Sequence, residues 1–273
     1  MSVKQTSDSN IDDIIKIASH IGFDFQKYKP SFLKRRIDTR LRLKGLNNYF
    51  QYLDLLDKDP MECNALAKAI SINVTEFFRD KDVFSVFSNE IIPKLFEEKL
   101  YSSIRIWSAG CATGEEPYSL AILLNEAAKK QRRSFKIFAT DINSSAIEFA
   151  KQGKYPLMSL KNLPHELLEK YFHQTDKNQY EISQEIKNFV TFNVGDISSF
   201  SVSYLDVIYC RNVFIYYAKE TQDLILEKFH SLLKNTGFLI LGMNENMRTE
   251  QAHMFESIVP RQRIYRKKEV VLR

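Results

Sequence analysis

The chain has 273 residues and a mass of 32.0 kDa, which is enough for a large domain with a full-sized core and a smaller second domain. A hydrophobic content of 44% with 27% charged residues excludes a disordered chain, and no apolar run approaches the roughly 20 residues needed to span a bilayer. The net charge of +5 equals the excess in one segment, SFLKRRIDTRLRLKGL, where six basic residues accompany a single aspartate.

The N-terminal part of the chain has the periodicity of helices. From Ile11 to about Glu98, apolar residues recur three and four apart, with no strand-like alternation between them. The predicted helices are IDDIIKIASHIGF, SFLKRRIDTRLRL, NNYFQYLDLLDK, PMECNALAKAI and DVFSVFSNEIIPKLFEE. The first thirteen residues are polar and lack the basic-then-apolar order of a signal peptide, so we expect a cytoplasmic protein. The basic helix favours an acidic partner, whether nucleic acid, anionic lipid or an acidic protein surface.

From Ser103 onward the pattern changes to strands alternating with helices. SIRIWSA, SFKIFATD and LDVIYCRN each predict a strand followed by a turn and a helix, and GFLILGM predicts a later strand. This order is typical of the α/β class with a doubly wound sheet. Between Gly153 and Asn193 the alternation breaks: LPHELLEKYF predicts a short helix, and QYEISQEIKNFVTF a small antiparallel insertion. We therefore predict a helical domain and linker over 1–86, then an α/β domain over 87–273 with the insertion at about 154–192.

The loop in RIWSAGCATGEEPYSLAIL follows the first predicted strand, where open α/β sheets bind ligands. It lacks the Gly-Lys-Ser/Thr of a phosphate-binding loop, and it does not have the GxGxxG pattern of a dinucleotide-binding loop. Its glutamates instead suit a ligand that carries an amino group. The second strand ends in Asp141, where a Rossmann-like sheet places an acceptor for ribose hydroxyls. Glu116 and Asp141 together favour S-adenosylmethionine, a nucleoside joined to an amino acid. The alternative is structural: Asp141 caps the next helix, and Glu116 occupies a first helical turn where acids are favoured.

Four motifs, NVTEFFRD, WSAGCATGEEPYSLA, FATDINSSAIEFAKQGKY and CRNVFIYY, together resemble those of the chemotaxis receptor methyltransferases, the CheR family. The similarity runs from about Ile11 to Arg266. It implies an all-helical N-terminal domain, a class I (Rossmann-like) methyltransferase domain and a small antiparallel β-subdomain. It also implies transfer of a methyl group from S-adenosylmethionine to receptor glutamates, which leaves S-adenosylhomocysteine.

The resemblance assigns roles to individual residues. Arg79 and Tyr216 are expected to orient the reacting carboxylate, with Tyr216 near the methyl group. Glu116 is expected to hold the amino group of the methionine part and Asp141 the ribose. The pair Asp196 and Ile197 stands where many members have Asn-Leu beside the adenine. The expected cofactor-binding residues are Asn73, Thr75, Arg79, Glu116, Asp141, Asp196, Ile197, Arg211 and Asn212.

The expected partners are the cytoplasmic helices of methyl-accepting chemoreceptors. The basic helix would dock their acidic surface through Arg36, Arg40, Arg42 and Lys44. The stretch HQTDKNQYEIS lacks the glycine found in the subdomain turn of members that bind a C-terminal receptor peptide, so we expect no need for that tether. Direct membrane insertion and nucleic-acid binding are not expected.

Two other functions remain open from the residues alone. The basic helix prompts a nucleic-acid methyltransferase, although no Asn/Asp-Pro-Pro-aromatic element follows and no broader basic surface with interleaved aromatics is evident. A non-catalytic cofactor-binding or receptor-binding signalling module is the other. The three cysteines are far apart and fit no metal-ligand spacing, so we expect reduced thiols and no metal. Cys111 and Cys210 lie beside the expected site without an assigned role.

Overall fold

The computed structural model describes residues 11–15, 17, 24–71, 74–98, 102–131 and 133–269. Their contacts form two compact units: the described residues up to Ser71 with 216–222, and the remainder. The domain boundary expected at residue 86 stays a prediction. Within the described ranges no helix combines the length and apolarity needed to cross a membrane.

The first unit is helical, as the sequence predicts. Residues 11–15 and 17 are helical, and the rest of the predicted segment IDDIIKIASHIGF between them and residue 24 lies outside the described residues. Three helices follow, α1 Pro30–Leu43, α2 Tyr49–Lys58 and α3 Pro60–Ile70. Apolar side chains at helical spacing fill the core between them. The buried members include Phe32, Leu33, Ile37, Tyr52, Leu56, Leu66 and Ile70.

Local chemistry sets the ends of these helices. The Asn48 side chain accepts a hydrogen bond from the backbone N–H of Gln51 at 3.0 Å, and Asp59 caps the next helix by accepting from Met61 at 2.9 Å. Pro30 and Pro60 stand in the first turns of α1 and α3, where their missing N–H costs no helical hydrogen bond.

A short segment from late in the sequence joins the first unit by antiparallel pairing. Tyr28 and Tyr217 form an isolated bridge, and their rings stack with centroids 4.8 Å apart. The N–H of Lys29 donates to the carbonyl of Tyr216 at 2.9 Å, and the Phe32 and Tyr216 rings lie 4.8 Å apart. Tyr216 is thus anchored to the N-terminal end of α1.

The second unit is built on a seven-stranded mixed sheet. Its strands are β1 Ile104–Ala109, β2 Phe135–Asp141, β6 Val190–Val194, β7 Leu205–Cys210, β8 Leu233–Leu241, β9 Phe255–Val259 and β10 Ile264–Lys267. They lie in the order β6-β2-β1-β7-β8-β10-β9. The first five in this order are parallel, and β10 pairs antiparallel with both β8 and β9. Because β1 pairs with β2 on one side and β7 on the other, the chain reverses its winding direction at the carboxyl end of β1, where such sheets bind ligands.

Helices precede and connect the strands. They are α4 Lys81–Val86, a π-helical turn Phe87–Ile91, α5 Ile92–Glu98, α6 Glu115–Gln131, α7 Ser144–Gln152, α8 His165–Tyr171, α9 Gln184–Lys187 and α10 Lys219–Leu232. Two of them follow the strands that border the predicted site, with Glu116 in the first turn of α6 and Asp141 as the last residue of β2. β1 leads into α6 and β2 into α7, so both connections start at the same edge of the parallel sheet.

The predicted β-insertion is present, but part of its expected span belongs elsewhere. The small antiparallel sheet has the order β3-β5-β4, with bounds Lys154–Pro156, Gln179–Ile182 and Phe172–Asp176. Of QYEISQEIKNFVTF, only QYEI joins it, since QEIK forms α9 and β6 pairs in parallel with β2. β6 lies at the sheet edge with mostly half-buried side chains, so it lacks the continuous apolar run of a central parallel strand.

Candidate functional site

The loop after β1 has an unusual backbone course. Gly110, Ala112 and Gly114 all have positive φ values, of 83°, 47° and 93°. The N–H of Gly110 donates to the carbonyl of Thr140 at 2.8 Å, which ties the loop to the end of β2. A Cβ on Gly110 would lie 2.4 Å from a methyl carbon of Val213, so the loop passes too close to the residues after β7 for any side chain there.

Asp141 ends β2 and supports this loop. One carboxylate oxygen accepts from the N–H of Ala112 at 2.8 Å and the other from the N–H of Asn143 at 2.9 Å. Burial raises the pKa of Asp141, and these backbone hydrogen bonds oppose the rise. A carboxylate has about four lone-pair sites, so two bonds leave acceptor capacity for a pair of ribose hydroxyls. The side chain is compatible with its predicted role.

Glu116 lies in the first turn of α6. Its Oε1 accepts from the Ser108 hydroxyl at 2.8 Å, and its Oε2 is 3.7 Å from Nη1 of Arg211. Burial raises the pKa of Glu116, and Arg211 and Ser108 oppose that rise. Oε2 is beyond hydrogen-bonding distance of Arg211 and has acceptor capacity for an ammonium group. The Glu116 carboxylate is therefore an acceptor that suits the ammonium group of S-adenosylmethionine.

Arg211 follows β7, and its side chain binds two residues of the segment that precedes α4. Its Nη1 donates to the carbonyl of Arg79 at 3.1 Å, and its Nη2 forms an ion pair with Asp80. The guanidinium also lies 5.6 Å from the Phe84 ring centroid. The Arg211 side chain is only 2% exposed, so water screens these contacts weakly.

The structure describes some of the predicted site residues in NVTEFFRD but not all of them. Asn73 lies outside the described residues, and Thr75 is half-buried. Nη1 of Arg79 donates to the Val74 carbonyl at 2.9 Å, within the same segment. Phe77 and Phe78 are buried and anchor the segment to the core.

Asp196 and Ile197 follow β6. The N–H of Gly195 donates to the Asp141 carbonyl at 2.9 Å, so these residues begin beside the end of β2. The Asp196 carboxylate accepts from the N–H of Ser198 at 2.8 Å, and the Ile197 side chain is buried. Their assignment to the adenine stays a prediction.

Sequence reasoning missed Glu245, which follows β8 and organises the loop after β7. Its carboxylate accepts from the N–H groups of Gly242 at 2.6 Å, Asn212 at 2.9 Å and Ile215 at 3.3 Å. Asn212 has a φ of 61°, and burial raises the pKa of Glu245. The same rule that selected Asp141, an acid just beyond an apolar strand, would have selected Glu245.

The environments of Cys111 and Cys210 disfavour the thiolate form. Cys111 and Cys210 are fully buried, and burial raises the pKa of each thiol well above its ordinary value. Only the thiolate is reactive, so both side chains act as small apolar core groups.

Of the predicted receptor-binding residues, Arg36, Arg40 and Arg42 are on α1 and Lys44 directly follows it. All four belong to the first unit, and they differ in their exposure. Arg40 and Lys44 both pair with the buried Glu62, at 2.6 Å and 2.9 Å. The Arg36 guanidinium lies over the Phe32 ring, 5.3 Å from its centroid. Arg42 is exposed.

The structure therefore brings some predicted site residues together. Glu116 and Arg211 lie within one cluster with the backbone of Arg79. Asp141 ends β2 and Asn212 follows β7, the two strands that flank β1. Tyr216 belongs to the first unit, where its carbonyl and ring contact the start of α1.

Comparisons with known proteins identify the family of this chain. The family model described as "CheR methyltransferase, all-alpha domain" matches residues 14–71. The model described as "CheR methyltransferase, SAM binding domain" matches residues 73–264.

Curated relatives match over most of their own length. A chemotaxis protein methyltransferase of Borreliella burgdorferi is 36% identical over 86% of this chain and 87% of the relative. Chemotaxis protein methyltransferase 2 of Pseudomonas aeruginosa is 32% identical over 87% and 85%, respectively. The chemotaxis protein methyltransferase of Salmonella typhimurium is 33% identical over 84% and 81%.

Proposed function

This chain belongs to the CheR methyltransferase family, and we propose that it esterifies glutamate side chains of chemoreceptors with the methyl group of S-adenosylmethionine. It is an S-adenosylmethionine-dependent methyltransferase of chemotaxis signalling. The products are the glutamate methyl ester and S-adenosylhomocysteine. The observation that supports this most is the placement of two carboxylates: Asp141 is buried at the end of β2, and Glu116, only 13% exposed, lies in the first turn of the helix that follows the neighbouring strand β1.

Each carboxylate suits one part of the cofactor. Glu116 would hold the ammonium group and Asp141 the ribose hydroxyls, because both retain acceptor capacity after their internal hydrogen bonds. Asp196 and Ile197 would border the adenine. The remaining contacts would come from Asn73, Thr75, Arg79, Arg211 and Asn212.

The chemistry needs no general base. S-adenosylmethionine supplies an electrophilic methyl group on a sulfonium centre. The receptor glutamate, with an ordinary pKa of about 4.3, is already an ionised nucleophile at neutral pH. The protein must align its oxygen and remove the water around it. Arg79 and Tyr216 would orient the carboxylate by charge and hydrogen bonding, and neither buried thiol is needed.

Receptor recognition would use the exposed basic side chains of α1. Arg42 faces solvent, whereas Arg40 and Lys44 are partly engaged by Glu62. We place the reaction in the cytoplasm, on receptor helices, without nucleic acid, membrane insertion, a metal ion or a receptor C-terminal peptide.

The decisive experiment has two parts. Incubation with radiolabelled S-adenosylmethionine and receptor-containing membranes should label receptors with a group that base releases as methanol, and base-stable label would overturn esterification. In calorimetry, Glu116→Gln should weaken S-adenosylhomocysteine binding. Glu148→Gln, at a carboxylate 65% exposed on α7, is the matched control and should bind normally.

A further inference from the structure

One guanidinium, that of Arg211, lies between two carboxylates. Its Nη2 forms a direct ion pair with Asp80, and its Nη1 is 3.7 Å from Oε2 of Glu116. The shorter contact is a charge-assisted hydrogen bond and the longer one is electrostatic only. Arg211 therefore forms its hydrogen-bonded ion pair with Asp80, and Oε2 of Glu116 can still accept a hydrogen bond from another group.

Because Arg211 and Glu116 are largely buried, the strength of their attraction depends on which carboxylate the guanidinium binds more closely. The side chains of Arg211 and Glu116 are 2% and 13% exposed, so their attraction is screened far less than at a surface. Asp80 is 38% exposed and reaches Arg211 from the solvent side. It competes with Glu116 for the same cation.

We propose that Asp80 is a positioning residue for cofactor binding: it retains Arg211 and so keeps Glu116 available for the ammonium group of the cofactor. This inference rests on the proposed role of Glu116. In this role Asp80 acts through Arg211 and needs no contact of its own with the cofactor or the methyl acceptor. Without its carboxylate, Arg211 moves onto Glu116, forms the closer pair, and competes with the ammonium group for Oε2.

The backbone around Asp80 has an uncommon conformation that contacts from other residues support. Asp80 has a φ of 58° and Phe78 a φ of 52°, so two non-glycine residues of this segment are left-handed. The N–H of Phe78 donates to the Ser119 hydroxyl at 3.1 Å, and Arg211 binds the Arg79 carbonyl between them. These contacts hold a conformation that costs energy for most residues.

A substitution can separate the charge of Asp80 from its conformation. Asparagine tolerates the left-handed region, and glycine adopts it freely, so Asp80→Asn and Asp80→Gly both remove the carboxylate without forbidding the backbone. Asp82→Asn, at an exposed position two residues later, is the matched control.

Binding of two ligands to the purified full chain tests the inference. S-adenosylhomocysteine carries the ammonium group, and 5′-methylthioadenosine lacks the whole amino-acid part. In calorimetry, Asp80→Asn and Asp80→Gly should weaken S-adenosylhomocysteine binding about tenfold or more, the scale of one charge-assisted hydrogen bond. Binding of 5′-methylthioadenosine should stay within about twofold, since its contacts do not involve Glu116. Asp82→Asn should change neither affinity.

A double-mutant cycle separates this inference from the proposed function. If Asp80 acts through Glu116, its substitution should add little to the loss already caused by Glu116→Gln. If the Asp80 substitutions weakened the binding of both ligands equally, Asp80 would support the structure of the whole site, and the inference would be overturned. An effect of Glu116→Gln without one of Asp80→Asn or Asp80→Gly would also overturn it and leave the proposed function intact. Unchanged binding by Glu116→Gln would instead remove the proposed role of Glu116.

Discussion

The buried carboxylate of Glu62 accepts two hydrogen bonds from the guanidinium of Arg40, at 2.8 Å from Nε and 2.6 Å from Nη2. Tyr52 donates to the same carboxylate at 2.9 Å, and Lys44 lies 2.9 Å from its other oxygen. Glu62 is 1% exposed, so removing its main partner leaves a poorly compensated charge in the core of the first unit.

Arg40→Ala should therefore destabilise the protein. Loss of one partner of a buried pair costs about 3–5 kcal/mol, and the lower end applies because Lys44 and Tyr52 remain. Arg35→Ala, at an exposed position of the same helix, should stay within about 0.5 kcal/mol of the parent. Urea denaturation monitored by circular dichroism measures both values. Similar stabilities for the two variants would show that the Glu62 cluster contributes little.

The same cluster predicts a pH dependence. Burial alone would raise the pKa of Glu62, but hydrogen bonds from Arg40, Lys44 and Tyr52 outweigh it and lower the pKa to about 2. A depressed pKa in the folded state adds stability above the unfolded value of 4.5, and this is lost as the pH falls toward 2. The pH-dependent part of the stability difference between the parent and Glu62→Gln should be about 3 kcal/mol, fully present at pH 7 and lost steadily between pH 4.5 and 2. A difference that does not change with pH would assign the effect to packing.

The main elements of the fold were predictable because their patterns are local. The apolar runs ending at Ala109, Asp141 and Cys210 are central strands buried on both faces, and their burial follows the sequence directly. The strand Val190–Val194 was assigned to the insertion, since an edge strand has the mixed burial that an antiparallel strand also shows.

The candidate site was predictable only where one rule applied, namely that ligands bind at the carboxyl ends of parallel strands. Asp80 was missed because its partner, Arg211, is 131 residues away, and such a pairing leaves no periodic trace. The commitment of Arg40 and Lys44 to Glu62 was hidden for the same reason. A basic stripe read along one helix does not reveal which members another helix neutralises.

Asp141→Asn should weaken cofactor binding. The amide keeps the side chain's shape, but one of its two polar atoms becomes a donor facing a backbone N–H, and the charge for the ribose hydroxyls is lost. We expect a loss of about 1.5–3 kcal/mol in S-adenosylhomocysteine affinity by calorimetry. Glu148→Gln serves as the control on the adjoining helix, and unchanged affinity in Asp141→Asn would remove this residue from the site.

Receptor docking should depend on the exposed basic residues of α1. Arg42→Glu, alone and with Arg35→Glu, should raise the apparent KM for receptor without changing S-adenosylhomocysteine affinity, because the reversed charges repel an acidic partner surface. Added salt should raise the KM of the parent in the same direction. Lys68→Glu, at an exposed position of α3, tests whether any charge reversal has this effect. Parallel loss of receptor and cofactor binding would indicate misfolding instead.

The small antiparallel sheet bears on how the receptor is held. Its strands β4 and β5 are joined by Lys177 and Asn178, and neither has a positive φ. The turn therefore contains no residue in the left-handed conformation that glycine adopts readily. The Asn178 carbonyl accepts from the N–H of Leu157 at 3.0 Å, and the Lys177 carbonyl accepts from the Gln174 side chain at 3.0 Å. Both turn carbonyls are already engaged within the subdomain.

We therefore expect methylation to proceed without a C-terminal receptor tether. A tether raises the effective concentration of its partner by holding a second site nearby, so an enzyme that uses one loses much of its rate when the tail is removed. Removing the last residues of a cognate receptor should leave the initial rate within about twofold, and calorimetric titration of the free tail peptide should give no measurable heat. A receptor with a scrambled tail of equal length controls for changes in receptor folding. A large drop in rate on truncation, with micromolar binding of the free peptide, would show that this subdomain captures the tail through its sheet edge despite its glycine-free turn.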